Sequence, residues 1–302
     1  MPFRILSLDG GGSRGVYSLG ALNEVEKTLG SPLHNHFDLI FGTSTGAIIA
    51  ALIALGIPVD EINKLYCELI PKIMRGSGRA ERSNSLQEHC DNIFGEATFN
   101  DVKTGIGIVA MNYNDTKPLI FKADVKQTYS RQATFKPGFG CTISTAVQAS
   151  SAAYPIFKMK EVVTENQGTI LAVDGGFIAN NPLFFAITDA TGALKHSLDD
   201  LRVLSVGTGN FVEKRISRIT ALLKRLKFVE LFDRTLKANS TTTEILIKFL
   251  YPTLKMVRIN ESFNQPQYGT NMVESDPKKL GTLFRLGRES YAKFEKQIKE
   301  LF

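Results

Sequence analysis

Residues 37–55 read FDLIFGTSTGAIIAALIAL. Phe37, Leu39, Ile40 and Phe41 form an almost unbroken apolar run, the pattern of a strand covered on both faces of a parallel sheet. From Ala47 to Leu55 the residues are small helix formers and isoleucines, and Gly56 and Pro58 then supply a stop signal. Between the two lies Gly42-Thr43-Ser44-Thr45-Gly46, a G-x-S-x-G at a strand-to-helix junction. A turn that sharp crowds the backbone on either side of the serine, so the positions two before and two after must lack a Cβ. The Ser44 hydroxyl then stands at a helix N-terminus, where unpaired N–H groups and the positive dipole end favour a developing anion. These are the marks of a nucleophile elbow; the competing reading is an ordinary tight turn with a solvated serine.

The flanking sequence repeats the alternation of strand and helix. Phe3–Leu8 is a short apolar strand running into Asp9-Gly10-Gly11-Gly12-Ser13-Arg14-Gly15, and residues 16–29 have helical spacing. Gly10, Gly12 and Gly15 satisfy G-x-G-x-x-G, but a dinucleotide fingerprint wants an acid at the end of the next strand, and here Asp38 stands at its start. The other reading is a nest of backbone N–H groups suited to an oxyanion or a phosphate. Parallel strands end on one sheet edge, so this loop and the elbow open to the same side. Residues 60–74 read as a helix, 75–85 as a mobile basic loop, 102–111 and 118–122 as strands joined by a turn at 112–115. A small-residue helix is expected over 142–153. Strands over 169–173 and 201–206 end respectively in Asp174-Gly175-Gly176 and Gly207-Thr208-Gly209.

After residue 210 the character changes. Ile216, Ile219, Leu222, Leu223, Leu226 and Val229 form an apolar stripe among lysines and arginines, a pattern that either covers a sheet or lies on an anionic membrane. Helical spacing returns at 244–250 and 281–301, around a polar stretch at 260–276. The 302 residues, 43% hydrophobic and 22% charged, suit one globular α/β domain over 1–302. A formal charge of +6 suits an anionic partner without naming one. Three scattered cysteines imply neither a disulfide framework nor a zinc site, and a reduced cytoplasmic setting is expected. The longest apolar run is far below the roughly 18–20 residues of a bilayer span, so any membrane contact is expected to be peripheral.

In order, Asp9-Gly-Gly-Gly-Ser-Arg-Gly, Gly42-Thr-Ser-Thr-Gly and Asp174-Gly-Gly with Ala179-Asn-Asn-Pro resemble the motifs of the patatin-like phospholipases, as do Gln148-Ala-Ser-Ser-Ala-Ala-Tyr-Pro and Leu204-Ser-Val-Gly-Thr-Gly. The likeness covers roughly residues 3–210; residues 211–302 read as a helical C-terminal extension. The resemblance implies a three-layer α/β/α fold with a central, mostly parallel sheet, and a lipid acyl hydrolase that uses a Ser–Asp dyad and needs no cofactor or metal. Carried onto this chain, Ser44 is the nucleophile and Asp174 its base, while Gly11 and Gly12, with Arg14 in support, form the oxyanion hole. Gly10, Gly15, Gly42, Gly46, Gly175 and Gly176 are the motif glycines. A dyad requires an aspartate pKa lifted by burial. The implied partner is a phospholipid membrane surface, with no nucleic acid. Compact bacterial members of the family also act as cyclic-nucleotide-activated defence effectors, so a nucleotide activator is a further expectation. Two alternatives stand beside this: a Ser-Asp-His esterase using His196, the one histidine after Asp174, and a non-catalytic lipid- or nucleotide-binding module.

Overall fold

The computed structural model describes residues 2–129, 132–212 and 224–302, with side chains undescribed at 132 and 224–229. The chain runs β1 (Phe3–Leu8), α1 (Gly15–Leu29), β2 (Leu39–Thr43), α2 (Thr45–Ala54), α3 (Val59–Met74), α4 (Arg79–Phe94), β3 (Gly105–Asn112) and β4 (Lys117–Lys122). It continues with α5 (Ile143–Ser150), β5 (Lys160–Thr164), β6 (Gly168–Asp174), α6 (Gly176–Ala179), α7 (Leu183–Thr188), β7 (Leu201–Val206) and β8 (Asn210–Phe211). Last come α8 (Lys224–Leu250), β9 (Lys255–Ile259), β10 (Ser262–Phe263) and α9 (Pro277–Lys299).

The main sheet has the order β5-β6-β3-β2-β1-β7-β9, with β4 also paired to β3. The block β3-β2-β1-β7-β9 is parallel throughout, whereas β4, β5 and β6 are antiparallel additions. Apolar side chains on the two sheet faces bury into two clusters, one under α1, α2, α3 and α9 and one under α7 and α8. This is the helix–sheet–helix layering that doubly buried strands such as Leu39–Thr43 demand.

One register decides the site. β4 occupies one edge of β3 over Gly107–Asn112, so β2 and β6 must share the other. β2 pairs along Gly105–Val109 and ends with Thr43 across from Val109. β6 arrives from the opposite direction and ends with Asp174 across from Ala110. The two strands therefore meet tip to tip, and the residue after Thr43 is Ser44.

Three elements differ from the sequence reading. The loop spans only residues 75–78: α4 starts at Arg79, and the Glu81 carboxylate accepts hydrogen bonds from the Ser77 N–H (2.8 Å) and hydroxyl (2.6 Å) at its first turn. Leu86, Cys90 and Phe94, spaced by four, form the buried stripe that holds the helix against the core. Polar residues at 76–85 masked that spacing. Secondly, β5 extends the sheet as an antiparallel edge. Finally, the region after residue 211 is not wholly helical: β9 adds a parallel strand beside β7 and β10 pairs with β8, while α9 packs along α1. The stripe over 216–229 lies outside the described side chains.

Candidate active site

Thr45 opens α2, and Ser44 is left at φ 53°, ψ −121° between strand and helix. A non-glycine residue held there carries strain of about 1–3 kcal/mol, which the surroundings must impose. They do so through the flanking glycines. A Cβ on Gly42 would lie 2.3 Å from the Gly46 carbonyl oxygen, so the turn closes on itself as the sequence suggested. A Cβ on Gly46 would lie 2.2 Å from the Leu8 carbonyl oxygen, so this second constraint comes from β1 and the neighbouring loop.

The Ser44 hydroxyl donates to Asp174 Oδ2 at 2.7 Å, across 130 residues of chain. Asp174 is 2% exposed. Burial pushes its carboxyl up to about 7, against the hydrogen bonds from Ser44 and from the Gly176 N–H (2.7 Å to Oδ1), which favour the carboxylate. Gly175 lets this corner pass over the sheet, since a Cβ there would strike the Val109 carbonyl at 2.0 Å. Ser150, at the end of α5, ties both strands together. Its hydroxyl accepts the Ser44 N–H at 2.8 Å and donates to the Val109 carbonyl at 2.6 Å. In the sequence Ser150 lies within Gln148-Ala-Ser-Ser, where nothing marks its partners.

The glycine loop is anchored on all sides. Gly10 donates its N–H to the Asn180 carbonyl (3.0 Å) and receives the Asn180 amide on its own carbonyl (3.2 Å), so the Ala-Asn-Asn-Pro motif holds the first motif in place. Gly12, at φ 58°, offers its carbonyl to the hydroxyls of Thr45 and Tyr66, both at 2.8 Å. Gly15 packs on the Thr45 methyl. The Ser13 N–H goes to the Met272 carbonyl and the Arg14 N–H to the Gly11 carbonyl, while the N–H groups of Gly11 and Gly12 have no protein partner among the described residues. Those two N–H groups are the loop's available donors.

Arg14 is fully buried and does not reach into the opening. Its guanidinium forms a bidentate pair with Asp233 on α8 and bonds the Gly11 carbonyl at 3.4 Å, clamping the loop from behind. Burial alone would raise Asp233, but Arg14 and Lys237 outweigh it and hold the carboxyl below its usual range. Asp233 lies beyond the motif region, and no local pattern marks it in the sequence.

Beside Ser44 opens a narrow cleft, lined chiefly by apolar side chains that include Ile70, Ile73 and Met74 of α3, Leu86 of α4, and Ile156 and Phe157. The helix hidden in residues 79–94 thus supplies a wall of the site.

His196 is elsewhere. Its ring stacks on Phe3 at 4.0 Å, at the start of β1, while the site lies beyond the end of that strand. At about 3.3 Å per residue, the length of β1 separates the two. His196→Gln is expected to leave ester hydrolysis within about twofold of wild type, measured as fatty-acid release; a loss of tenfold or more would revive a histidine triad.

Comparison with known proteins identifies the family. The family model of the patatin-like phospholipases matches residues 6–187. The chain is 45% identical over 297 residues to the cUMP-AMP-activated phospholipase of Escherichia coli, covering 98% of this chain and 93% of that one. It is 29% identical over 218 residues to the cGAMP-activated phospholipase of Pseudomonas aeruginosa, covering 68% of this chain but only 62% of the relative. Among solved structures, VipD from Legionella pneumophila aligns with 99% of this chain and 67% of its own at a TM-score of 0.50 and 13% identity, a likeness of fold alone.

Proposed function

The chain belongs to the patatin-like phospholipase family of lipid acyl hydrolases, and on that premise we propose that Ser44 and Asp174 cleave fatty-acyl esters of membrane glycerophospholipids as a two-residue machine. The observation that carries the proposal is the 2.7 Å hydrogen bond from the Ser44 hydroxyl to a buried carboxylate, with His196 at the far end of β1.

In this mechanism the ester's acyl chain enters the apolar cleft and its carbonyl carbon comes to Ser44 Oγ. Asp174 accepts the hydroxyl proton as Oγ attacks, and the carbonyl oxygen becomes an oxyanion facing the free N–H groups of Gly11 and Gly12. Fixed backbone donors of this kind contribute about 2.7–4 kcal/mol each to transition-state stabilisation. Arg14 serves them indirectly by holding the loop. Asp174 then returns the proton to the leaving alcohol oxygen, and the acyl group stays on Ser44. Water, deprotonated by Asp174, attacks the acyl-enzyme; the bond to Ser44 Oγ breaks, Asp174 returns the proton to that oxygen, and the fatty acid leaves. A carboxyl near neutrality is suited to both directions of transfer.

The pH profile tests this. The working base is the carboxylate, so kcat/KM is expected to rise with pH through an apparent pKa of about 7, with activity falling tenfold per pH unit well below it. A flat profile down to pH 5 would remove Asp174 as the base. The cleft has its own test. Met74→Trp is expected to lower kcat/KM for long-chain relative to short-chain p-nitrophenyl esters by about tenfold, since its wall narrows. Equal loss on both would separate the cleft from acyl binding.

Substrate is presented at a phospholipid surface that the protein meets peripherally; among the described residues no helix is long and apolar enough to cross a membrane. The 45% identity to a cUMP-AMP-activated phospholipase supports activation by a cyclic dinucleotide, and with it service as an effector in nucleotide-signalled antiviral defence. Stimulation of vesicle hydrolysis by added cyclic dinucleotides tests that reading.

A further inference from the structure

A roomier cavity than the cleft beside Ser44 lies on the other side of β3, over β4, with about 490 Å³ between Lys122, Tyr129, Lys136 and the Asn166-Gln167 turn of the β5–β6 hairpin. A second, more open hollow of about 510 Å³, reaching Lys103, adjoins it, and Phe135 borders both. The two lobes together thus offer an aromatic divider, exposed amides at one rim and ammonium groups at several points.

We propose that this two-lobed cavity is the binding site of the cyclic dinucleotide activator, one base stacking on Tyr129, the ring of Phe135 separating the two bases, and Lys136 meeting a phosphate. The inference rests on the reading that the enzyme is nucleotide-activated. Tyr129 keeps 59% of its surface exposed, unusual for a large aromatic side chain that already has Lys122 over its ring at 5.5 Å. An exposed ring backed by a cation is a stacking platform that accepts any base. Lys136 pairs with Glu165 at 3.0 Å, but both side chains are about half exposed, so the pair is weak and the ammonium can be redirected to an anion. The carboxylate that would oppose a phosphate, Asp189, is buried and neutralised by Lys122 at 2.7 Å. Both bases and one phosphate find a counterpart here, and the mostly apolar cleft beside Ser44 offers them none.

The cavity also touches the catalytic strands. Ile120 in its floor lies across from Val109 on β3. Val109 carries the carbonyl that Ser150 grips, and Ser150 holds the Ser44 N–H. A ligand that shifts β4 therefore acts on the hydrogen bond that orients the elbow.

The test measures binding of cyclic UMP–AMP and cyclic GMP–AMP to the full chain by calorimetry, alongside vesicle hydrolysis with and without each nucleotide. Wild type and Ser44→Ala are expected to bind one of them alike. Tyr129→Ala and Lys136→Glu, with wild-type circular dichroism and unchanged basal hydrolysis, are expected to weaken that binding about tenfold or more and to lose stimulation at nucleotide concentrations that saturate wild type. If wild type binds and is stimulated but both variants bind equally well, the site lies elsewhere and nucleotide activation stands. If wild type neither binds nor responds to either nucleotide, the activation reading fails and this site fails with it.

Discussion

Ser44→Ala is expected to lower fatty-acid release from phospholipid vesicles by about 10⁴–10⁶-fold and to abolish labelling by a fluorophosphonate probe. The size of the loss follows from the proposed chemistry, in which Ser44 Oγ is the atom that forms the covalent bond, so nothing substitutes for it. The fold is expected to survive, because alanine keeps the backbone at φ 53° under the same glycine contacts that hold serine there. Removing the hydroxyl also takes away one of the two hydrogen bonds that favour the Asp174 carboxylate, so its pKa moves further up. Retained hydrolysis and labelling in this variant would make the protein a binding module with an incidental serine, and another residue would have to carry any ester cleavage.

Asp174→Asn is expected to cost about 10⁴-fold in hydrolysis while stabilising the protein at alkaline pH. Asparagine preserves the shape and the acceptor for Ser44 but takes no proton. The stability effect has a definite sign. Asp174 titrates near 3.8 when unfolded and at about 7 when folded, so the folded state holds the proton more tightly. That contribution is complete below about pH 4 and is lost as pH rises through 7. The neutral asparagine does not titrate. The difference in unfolding free energy between variant and wild type, and with it the difference in Tm, is therefore expected to grow from pH 5 to pH 8, the former towards a limit of about 4 kcal/mol at 1.36 kcal/mol per pKa unit. Thermal unfolding across that range measures it. A constant difference would mean that Asp174 is ionised in the folded protein throughout, and burial would not be its governing influence.

Much of the fold could be read from local pattern. The strands at Phe3–Leu8 and Leu201–Val206 have the expected bounds, and α1, α2, α3 and α5 lie within about two residues of expectation at most of their ends. Failures occurred where pattern and environment part. In α4 the buried face carries only Leu86, Cys90 and Phe94, and polar residues around them resemble a loop until something packs on that face. β9 was hidden because Lys255–Ile259 is short and mixed, and only the open edge of β7 makes a strand of it. For the site, the glycine loop, the elbow and Asp174 were visible as motifs; Ser150 and Tyr66 were not, because a hydroxyl in a small-residue or amphipathic helix has no local signature of its partner.

Chain-local chemistry was sufficient for the elbow. Two glycines, a buried strand before and a helix after mark the turn, and the contact that requires Gly42 lies within it, although the one that requires Gly46 comes from β1 and the loop after it. The pairing of Ser44 with Asp174 has a different origin. It depends on β4 taking one edge of β3, which leaves β2 and β6 to meet tip to tip on the other, with Thr43 opposite Val109 and Asp174 opposite Ala110. The same long-range packing buries the aspartate and lifts its pKa, sends His196 to the opposite end of β1 against Phe3, and brings Asp233 from α8 to brace Arg14. Register between strands far apart in sequence is set by competition for edges and buried area over the whole sheet, and no stretch of a few residues encodes it.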